Sequence, residues 1–268
     1  MTQWVCLMYH DVRPGAAVGS RAADYFAVGS AAFEQQLDEI MSMGFRAISI
    51  EQAIQEGPGV ESHTVACSFD DGDIGQFERA FPLLAKRGMA ATFFITTGWV
   101  GRPGYISWEG LREMRAAGMS LQSHTRSHPF LSELGDGALR EELHASRAEL
   151  DAALGQRTVS IALPGGDAPR AALRSLIAEA GYTIVATSRW GMNRNRQAGA
   201  VGGCLRWVNR CTVRRDTTID VFRATVRGDR LLAMRRSIRE ASLHGLRTAL
   251  GPSRYARWRR GWLSATVR

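Results

Sequence analysis

Lysine is nearly missing from this chain of 268 residues: Lys86 is the one lysine among 34 basic residues, and the other 33 are arginine. Cysteine is scarce as well. Cys6, Cys67, Cys204 and Cys211 are too few and too widely spaced for a dense disulfide framework or a paired-cysteine metal knuckle, so we expect reduced thiols and a cytosolic protein. Long apolar runs are also lacking. Stretches such as Ala90–Thr97 fall far short of the roughly 20 residues that a membrane-crossing helix needs. The opening Met1–His10 has neither the basic n-region nor the full apolar stretch of a secretory signal, and none is expected.

What is present is ordinary in amount and uneven in placement. Apolar residues make up 45% and charged residues 22%, enough for a sizeable core and against disorder or a fibrous repeat. The length is close to that of a single closed β/α barrel. The formal charge of +8 is local: Arg227–Arg268 holds 11 arginines against Asp229 and Glu240, so residues 1–226 are close to neutral.

Four times an amphipathic stretch ends in glycine and runs at once into a short β-rich segment, as when a helix stopped at its C′ position feeds a strand. Ser30, read as an N-cap, opens the first stretch, which reaches Gly44 and then Phe45–Ile50. Gln76–Gly88 precedes Ala91–Ile95, and a helix capped by Ser107 reaches Gly118 before Met119–His124. Pro169 suits N1 of a helix ending at Gly181, before Tyr182–Ala186. Val5–Tyr9, Thr64–Phe69 and Val159–Leu163 supply further strands, and Ala138–Leu154 a further helix. Such alternation predicts a parallel sheet with helices outside and function at the C-terminal ends of the strands. Ser188–Gly203 reads as a loop. From Thr218 onward the chain reads as mainly helical. Residues 1–217 are therefore expected to form the barrel, and residues 218–268 a basic helical C-terminal extension.

Ala66-Cys67-Ser68-Phe69-Asp70-Asp71-Gly72 places two adjacent carboxylates where an apolar strand ends. Neighbouring aspartates repel unless a cation, a proton or solvent relieves them, so the pair suggests a metal ligand beside a general base. A solvated Asp-Asp-Gly turn would leave the same trace. Ser123-His124-Thr125-Arg126-Ser127-His128 follows another strand, and its two imidazoles, leaving the same barrel mouth, can converge with a carboxylate on one divalent ion. Leu163-Pro164-Gly165-Gly166-Asp167 follows a third strand, and a glycine turn there can aim a backbone N–H at a developing oxyanion. His10 ends the first strand and should face the same mouth, as a site acid or a substrate contact. Trp99, Trp108 and Trp190 are candidate sugar platforms. His63 and His144 receive no role.

In these motifs the chain resembles the polysaccharide deacetylase family, the NodB homology domain of carbohydrate esterase family 4, over most of residues 4–215. Ser68-Phe69-Asp70-Asp71-Gly72 is similar to its first motif, and Ser123-His124-Thr125-Arg126-Ser127-His128, with Pro129-Phe130-Leu131 after it, to its second. Met8-Tyr9-His10, Ala90-Ala91-Thr92-Phe93-Phe94 and Ser107-Trp108 look like further segments of it. The resemblance implies a distorted (β/α)7-8 barrel that hydrolyses an N-acetyl group from an N-acetylhexosamine unit of a polysaccharide or its lipid-linked precursor. It implies a divalent metal, with zinc the leading choice over cobalt, nickel or manganese, held by Asp71, His124 and His128, and Asp70 as general base. The family's third motif carries an arginine that orients the base. Ala162 stands at that position here, which leaves the Gly165 amide as the carry-over. The family's late Leu-x-His, source of its general acid, has no counterpart; Ser242-Leu243-His244 has the wrong order. Asp73 replaces the common aromatic after Asp-Asp-Gly. Trp108 and Arg206, in Leu205-Arg206-Trp207-Val208, are carried over as substrate contacts. The missing arginine and acid histidine leave one alternative, a catalytically impaired barrel that binds a glycan or a partner protein.

The tail adds Arg254-Tyr255-Ala256-Arg257-Trp258-Arg259-Arg260-Gly261-Trp262, in which aromatics interleave with arginines in a way that suits an anionic membrane surface. Nucleic acid is the less favoured partner. We expect a protein peripheral to the inner face of the membrane, and the sequence carries no signal for an oligomeric state.

Overall fold

The computed structural model describes residues 3–15, 25–55, 63–166, 171–194 and 205–229, together with Leu232, Gly251 and Arg254. Pro169, Asp167, Ser242-Leu243-His244 and nearly all of the arginine-rich tail lie outside the described residues.

The strands are β1 (Gln3–Tyr9), β2 (Val12–Arg13), β3 (Val28–Gly29), β4 (Arg46–Ile48), β5 (Thr64–Phe69), β6 (Thr92–Ile95), β7 (Ser120–Ser123), β8 (Ser160–Ala162), β9 (Ile184–Ala186), β10 (Asn193–Arg194), β11 (Arg206–Val208) and β12 (Cys211–Thr212). The helices are α1 (Ser30–Ser42), α2 (Ile50–Gln55), α3 (Phe81–Lys86), α4 (Trp108–Ala116), α5 (Asp136–Leu154), α6 (Ala171–Glu179) and α7 (Ile219–Val226). Parallel pairing runs β12-β1-β5-β6-β7-β8-β9-β11, and β4 shares with β6 the second edge of β5. This is the distorted (β/α) barrel, with a seam between β11 and β12, which follow each other in the chain without pairing. The small ladder of β2 and β3 stands apart.

Side chains on a strand alternate between its two faces, and here the alternation separates two cores. Val5, Leu7 and Tyr9 of β1, Val65, Cys67 and Phe69 of β5 and Phe93 and Ile95 of β6 face outward, against Phe33, Leu37 and Ile40 of α1, Leu84 of α3, Leu111 and Met114 of α4 and Phe222 of α7. Trp4, Cys6, Ile48, Ala66, Phe94, Ala162, Ile184, Ala186 and Val208 fill the lumen. Leu139 and Leu143 of α5 and Leu173, Leu176 and Ile177 of α6 cover the remaining face. The strands place even-numbered residues inward, so the first residue past several of them, such as Asp70 and His124, continues the lumen-facing series at the C-terminal mouth.

Three expectations change. Helix α1 has Gly29 at its N-cap with no side-chain cap, and Ser30 is its first residue; Ser107, by contrast, accepts from the Gly110 amide at 3.2 Å. The segment read as a loop after Ser188 contains β10, antiparallel to the start of β1. The boundary at residue 217 cuts off α7, whose Phe222 and Val226 belong to the main core and whose Arg223 pairs with Glu39 of α1 at 2.6 Å. The apolar face of α7 needs the barrel to cover it, so the barrel runs at least to Val226.

Between β5 and α3 the chain makes a π-turn, Gln76–Ala80, entered at Gly75. A Cβ at Gly75 would collide with the Val12 carbonyl oxygen and the Asp11 carboxylate, so glycine lets this turn lie against the start of β2. We expect Gly75→Ala to destabilise by roughly 2–3 kcal/mol, typical of overpacking, which in a domain of this size lowers Tm by about 5–10 °C. Thermal melts of the two proteins check this.

Candidate active site

Asp71, His124 and His128 meet at the C-terminal mouth. Their candidate donor atoms all lie within 4.8 Å of one another. Asp71 Oδ1 is 3.4 Å from Nε2 of His124 and 3.4 Å from Nε2 of His128, and it is buried with no hydrogen-bond partner. A buried carboxylate oxygen without a donor, faced by two imidazole nitrogens just beyond hydrogen-bond reach, fits a divalent cation of the kind that accepts mixed nitrogen and oxygen ligands. His124 Nδ1 lies 3.0 Å from the Ala162 carbonyl oxygen; donating there, it leaves the Nε2 lone pair for the site.

Electrostatics prepare these ligands. Burial disfavours the charged form of Asp71, yet its interaction with His124 and the nearby His10 and His128 outweigh this and hold its carboxyl well below the usual range. Burial also opposes charge on His124, and Asp70 and Asp71 overcome it, so its pKa rises. For His128 burial prevails, and its pKa falls to about 4.

Backbone strain sits on the same residues. Among the described residues, Asp71 (φ 81°), Thr125 (φ 67°) and His128 (φ 62°) are the non-glycine positions with left-handed φ. An extended chain would place Asp70 and Asp71 on opposite faces of β5; the left-handed turn at Asp71 instead brings both carboxylates to one mouth.

Asp70 is held differently. Its two carboxylate oxygens accept from both terminal nitrogens of Arg210, at 2.5 and 2.8 Å. Arg210 is wholly buried; its Nε donates to the Thr187 carbonyl at 2.9 Å and its guanidinium lies over the Phe94 ring at 5.2 Å. Burial alone would raise the Asp70 pKa, but the guanidinium lowers it, so the carboxylate stays ionised. Gln76 of the π-turn donates to the backbone carbonyls of both His10 and Asp70, locking the ends of β1 and β5 together.

His10 lies at this mouth with its ring 4.9 Å from Phe26 and a buried Nδ1 that has no partner. Burial lowers its pKa, against the pull of Asp71 and Asp70. Asp73 forms a bridge with Tyr105, and burial, followed by repulsion from Asp11 and Asp71, pushes it up to about 7. Gly165 (φ 60°) lies in the turn after β8, where a Cβ would strike the Phe130 ring.

A family model described as polysaccharide deacetylase matches residues 57–185, a span that contains both the carboxylate pair and the two histidines. Over that span the chain is similar to the polysaccharide deacetylase family. Among its relatives, the Bacillus subtilis (strain 168) protein YxkH is 27% identical over 163 residues, 60% of this chain and 56% of that protein. The poly-beta-1,6-N-acetyl-D-glucosamine N-deacetylase of Staphylococcus aureus (strain MRSA252) is 26% identical over 158 residues, 53% of this chain and 54% of that enzyme. The chain thus spans about half the length of these curated relatives. Among solved structures, the Streptococcus pyogenes deacetylase PplD in complex with acetate superposes with a TM-score of 0.72 at 26% identity, over 84% of this chain and 98% of that one.

The site departs in one place from the pattern that the resemblance implies. Ala162 stands where the resemblance expects an arginine, and the guanidinium that pairs with Asp70 is that of Arg210, which precedes β12. The arginine singled out nearby, Arg206, is exposed at the N-terminal end of β11, away from the mouth; four residues on, Arg210 follows the same inward parity at the other end. Trp108, read as a substrate contact, opens α4 and packs against the main core. Trp190 is buried there too. Trp99 is the indole at the site, 5.2 Å from the His128 ring and 5.0 Å from Tyr105.

Proposed function

We propose that the chain is a metal-dependent N-deacetylase acting on N-acetylhexosamine units of a polysaccharide or its lipid-linked precursor. The observation that carries this reading is the juxtaposition of an ionised, arginine-held Asp70 with the Asp71, His124 and His128 cluster at one barrel mouth. Asp71, His124 and His128 would hold the ion, with zinc the leading choice. A bound divalent cation supplies Lewis acidity toward the acetyl carbonyl and acidifies nearby water. Asp70 takes the proton of the attacking water while Arg210 keeps its carboxylate in place. The Gly165 amide, in the turn after β8, is the backbone donor that would serve the developing oxyanion. His10, a nearby imidazole that the ligand cluster does not use, passes the proton that Asp70 has taken on to the departing amine nitrogen, and acetate and the free amine result. The Trp99 indole offers a face on which a sugar ring can stack. The Asp70–Arg210 pair removes the main motive for reading the barrel as impaired. Docking of the arginine-rich tail on an anionic membrane belongs to the same proposal and rests on sequence alone.

The test is acetate release from N-acetylglucosamine oligomers and lipid-linked N-acetylhexosamine, with zinc or cobalt added. Wild type is expected to release acetate, Asp70→Asn to lose about 10²–10⁴-fold in kcat and His10→Gln a similar range. Release from Asp70→Asn at the wild-type rate would remove the base; silence of wild type on every N-acetylated substrate would overturn the reading.

A further inference from the structure

The loop carrying the two histidine ligands leaves the end of β7, where the His124 amide still donates to the Ile95 carbonyl of β6 at 2.9 Å. Beyond that it is left-handed at two places and outside the ladder, so its backbone groups need other partners. The Thr125 amide donates to Ser123 Oγ at 3.1 Å, and the His128 amide to Thr125 Oγ1 at 3.1 Å. The Thr125 and Arg126 carbonyls accept from the amides of Thr97 (3.2 Å) and Gly98 (2.8 Å). The two amides left over, those of Arg126 and Ser127, both donate to one carboxylate oxygen of Glu142 on α5, each at 2.9 Å; its other oxygen accepts from the Ser127 hydroxyl at 2.5 Å. One turn further along α5, Ser146 Oγ lies 2.9 Å from Ser123 Oγ, so a single stripe of this helix grips both the start of the loop and its tip.

We propose that Glu142 is a positioning residue for the metal centre, holding the Arg126–Ser127 turn in the shape that delivers His128 to Asp71. This rests on the reading of Asp71, His124 and His128 as the ion's ligands. Three donors converge on Glu142, and a carboxylate accepts at both oxygens, which suits the place better than any side chain that must also donate. The guanidinium of Arg126 does not compete, since it pairs with Glu141 at 3.5 Å and Glu149 at 3.1 Å. Thr125 and His128 hold a backbone conformation that non-glycine residues seldom adopt, so the turn keeps its shape only while its surroundings impose it. With Glu142 gone, the ion itself would have to order the loop, and that cost would appear as weaker binding.

The experiment measures zinc and cobalt affinity by chelator competition, and amide hydrogen exchange at Arg126 and Ser127 in metal-free protein. Wild type, Glu142→Ala and Glu142→Gln are compared, with His124→Ala as the blank. Groups that support metal ligands typically contribute 10–100-fold in affinity. We expect Glu142→Ala to bind about 10–100-fold more weakly and to exchange faster at both amides. Glu142→Gln keeps the volume and one carbonyl acceptor, and should lie in between; it also serves if the alanine variant fails to fold. Affinities within twofold of wild type and unchanged exchange in both variants overturn the proposal. If wild type binds no better than His124→Ala, the metal reading falls instead, and the exchange rates alone then decide whether Glu142 holds the loop: faster exchange in the variants supports the clamp, and unchanged exchange overturns it.

Discussion

Arg210→Met is expected to be among the most damaging single changes in this protein, and its damage should shrink as the pH falls. In the wild type the fully buried guanidinium forms a two-pronged ion pair with Asp70, which is itself almost fully buried. Removing one partner of such a pair strands a charge in the interior and costs roughly 3–5 kcal/mol. The sign of the pH dependence then reverses. In the wild type the Asp70 pKa lies below its unfolded value, so its stabilisation is present above the unfolded carboxylate pKa and is lost as pH falls through the folded one. In Arg210→Met, burial is the largest remaining influence and raises that pKa. Native protein then favours the protonated acid, and stability is lost as pH rises through the raised value. Urea unfolding between pH 4 and 8 should show the deficit of Arg210→Met growing with pH. Asp70→Asn combined with Arg210→Met should be far less costly than the sum of the two, because neither charge is left alone. Additive effects, or a deficit that does not vary with pH, would mean that the pair contributes little.

The second large effect concerns the ligands. His124→Ala is expected to abolish stoichiometric zinc or cobalt binding, and with it the thermal stabilisation that saturating metal confers on wild type, about 2.7 kcal/mol at a hundredfold excess over Kd. The pH dependence follows from proton competition. Burial pushes the His124 pKa down, but Asp70 and Asp71 pull it above its ordinary value, so the free site keeps a proton on His124 to higher pH than an ordinary imidazole would. His128, near 4, and Asp71, well below the usual carboxylate range, have already lost theirs. Metal must therefore displace the His124 proton, and apparent affinity rises with pH until that proton is lost. In metal-free protein the His124 contribution to stability has the opposite trend, present below the unfolded histidine pKa of about 6.5 and lost as pH rises through the folded value. The difference in Tm with and without metal should accordingly be larger at pH 8 than at pH 6. Equal differences at both pH values, or a full metal-induced shift in His124→Ala, would show that His124 is not a ligand.

Much of this was legible in the residues. Helix stops at Gly44, Gly88, Gly118 and Gly181, each feeding a β-rich run, follow from the glycine C′ signal, and they suffice for parallel strands wrapped in helices. The period of two along a strand then says where side chains point. Asp70 and His124 are one step past β5 and β7 on the lumen-facing series, and His10 is one step past β1, so these three reach the same mouth for reasons that local patterning contains. Asp71 and His128 break that periodicity. They meet His124 because left-handed backbone at Asp71, Thr125 and His128 turns them inward, and amides and carboxylates from neighbouring elements hold those turns.

Arg210 marks the same division from the other side. It is one arginine among 33 in the sequence, and nothing local distinguishes it from Arg206, four residues earlier on the same strand parity. A parallel strand has one end at the mouth and the other at the floor, and only closure of the barrel decides which of the two arginines faces Asp70, about 140 residues away in the chain. The sequence by itself determined the repeat of strands and helices, the inward parity of Asp70 and His124, and the residue types of the candidate ligand set, because each follows from propensity, period or identity over a few neighbouring residues. The tertiary structure alone decided that Arg210 pairs with Asp70, that Trp99 meets His128 and that Glu142 accepts from the Arg126 and Ser127 amides, because each joins residues brought together only when the sheet closes.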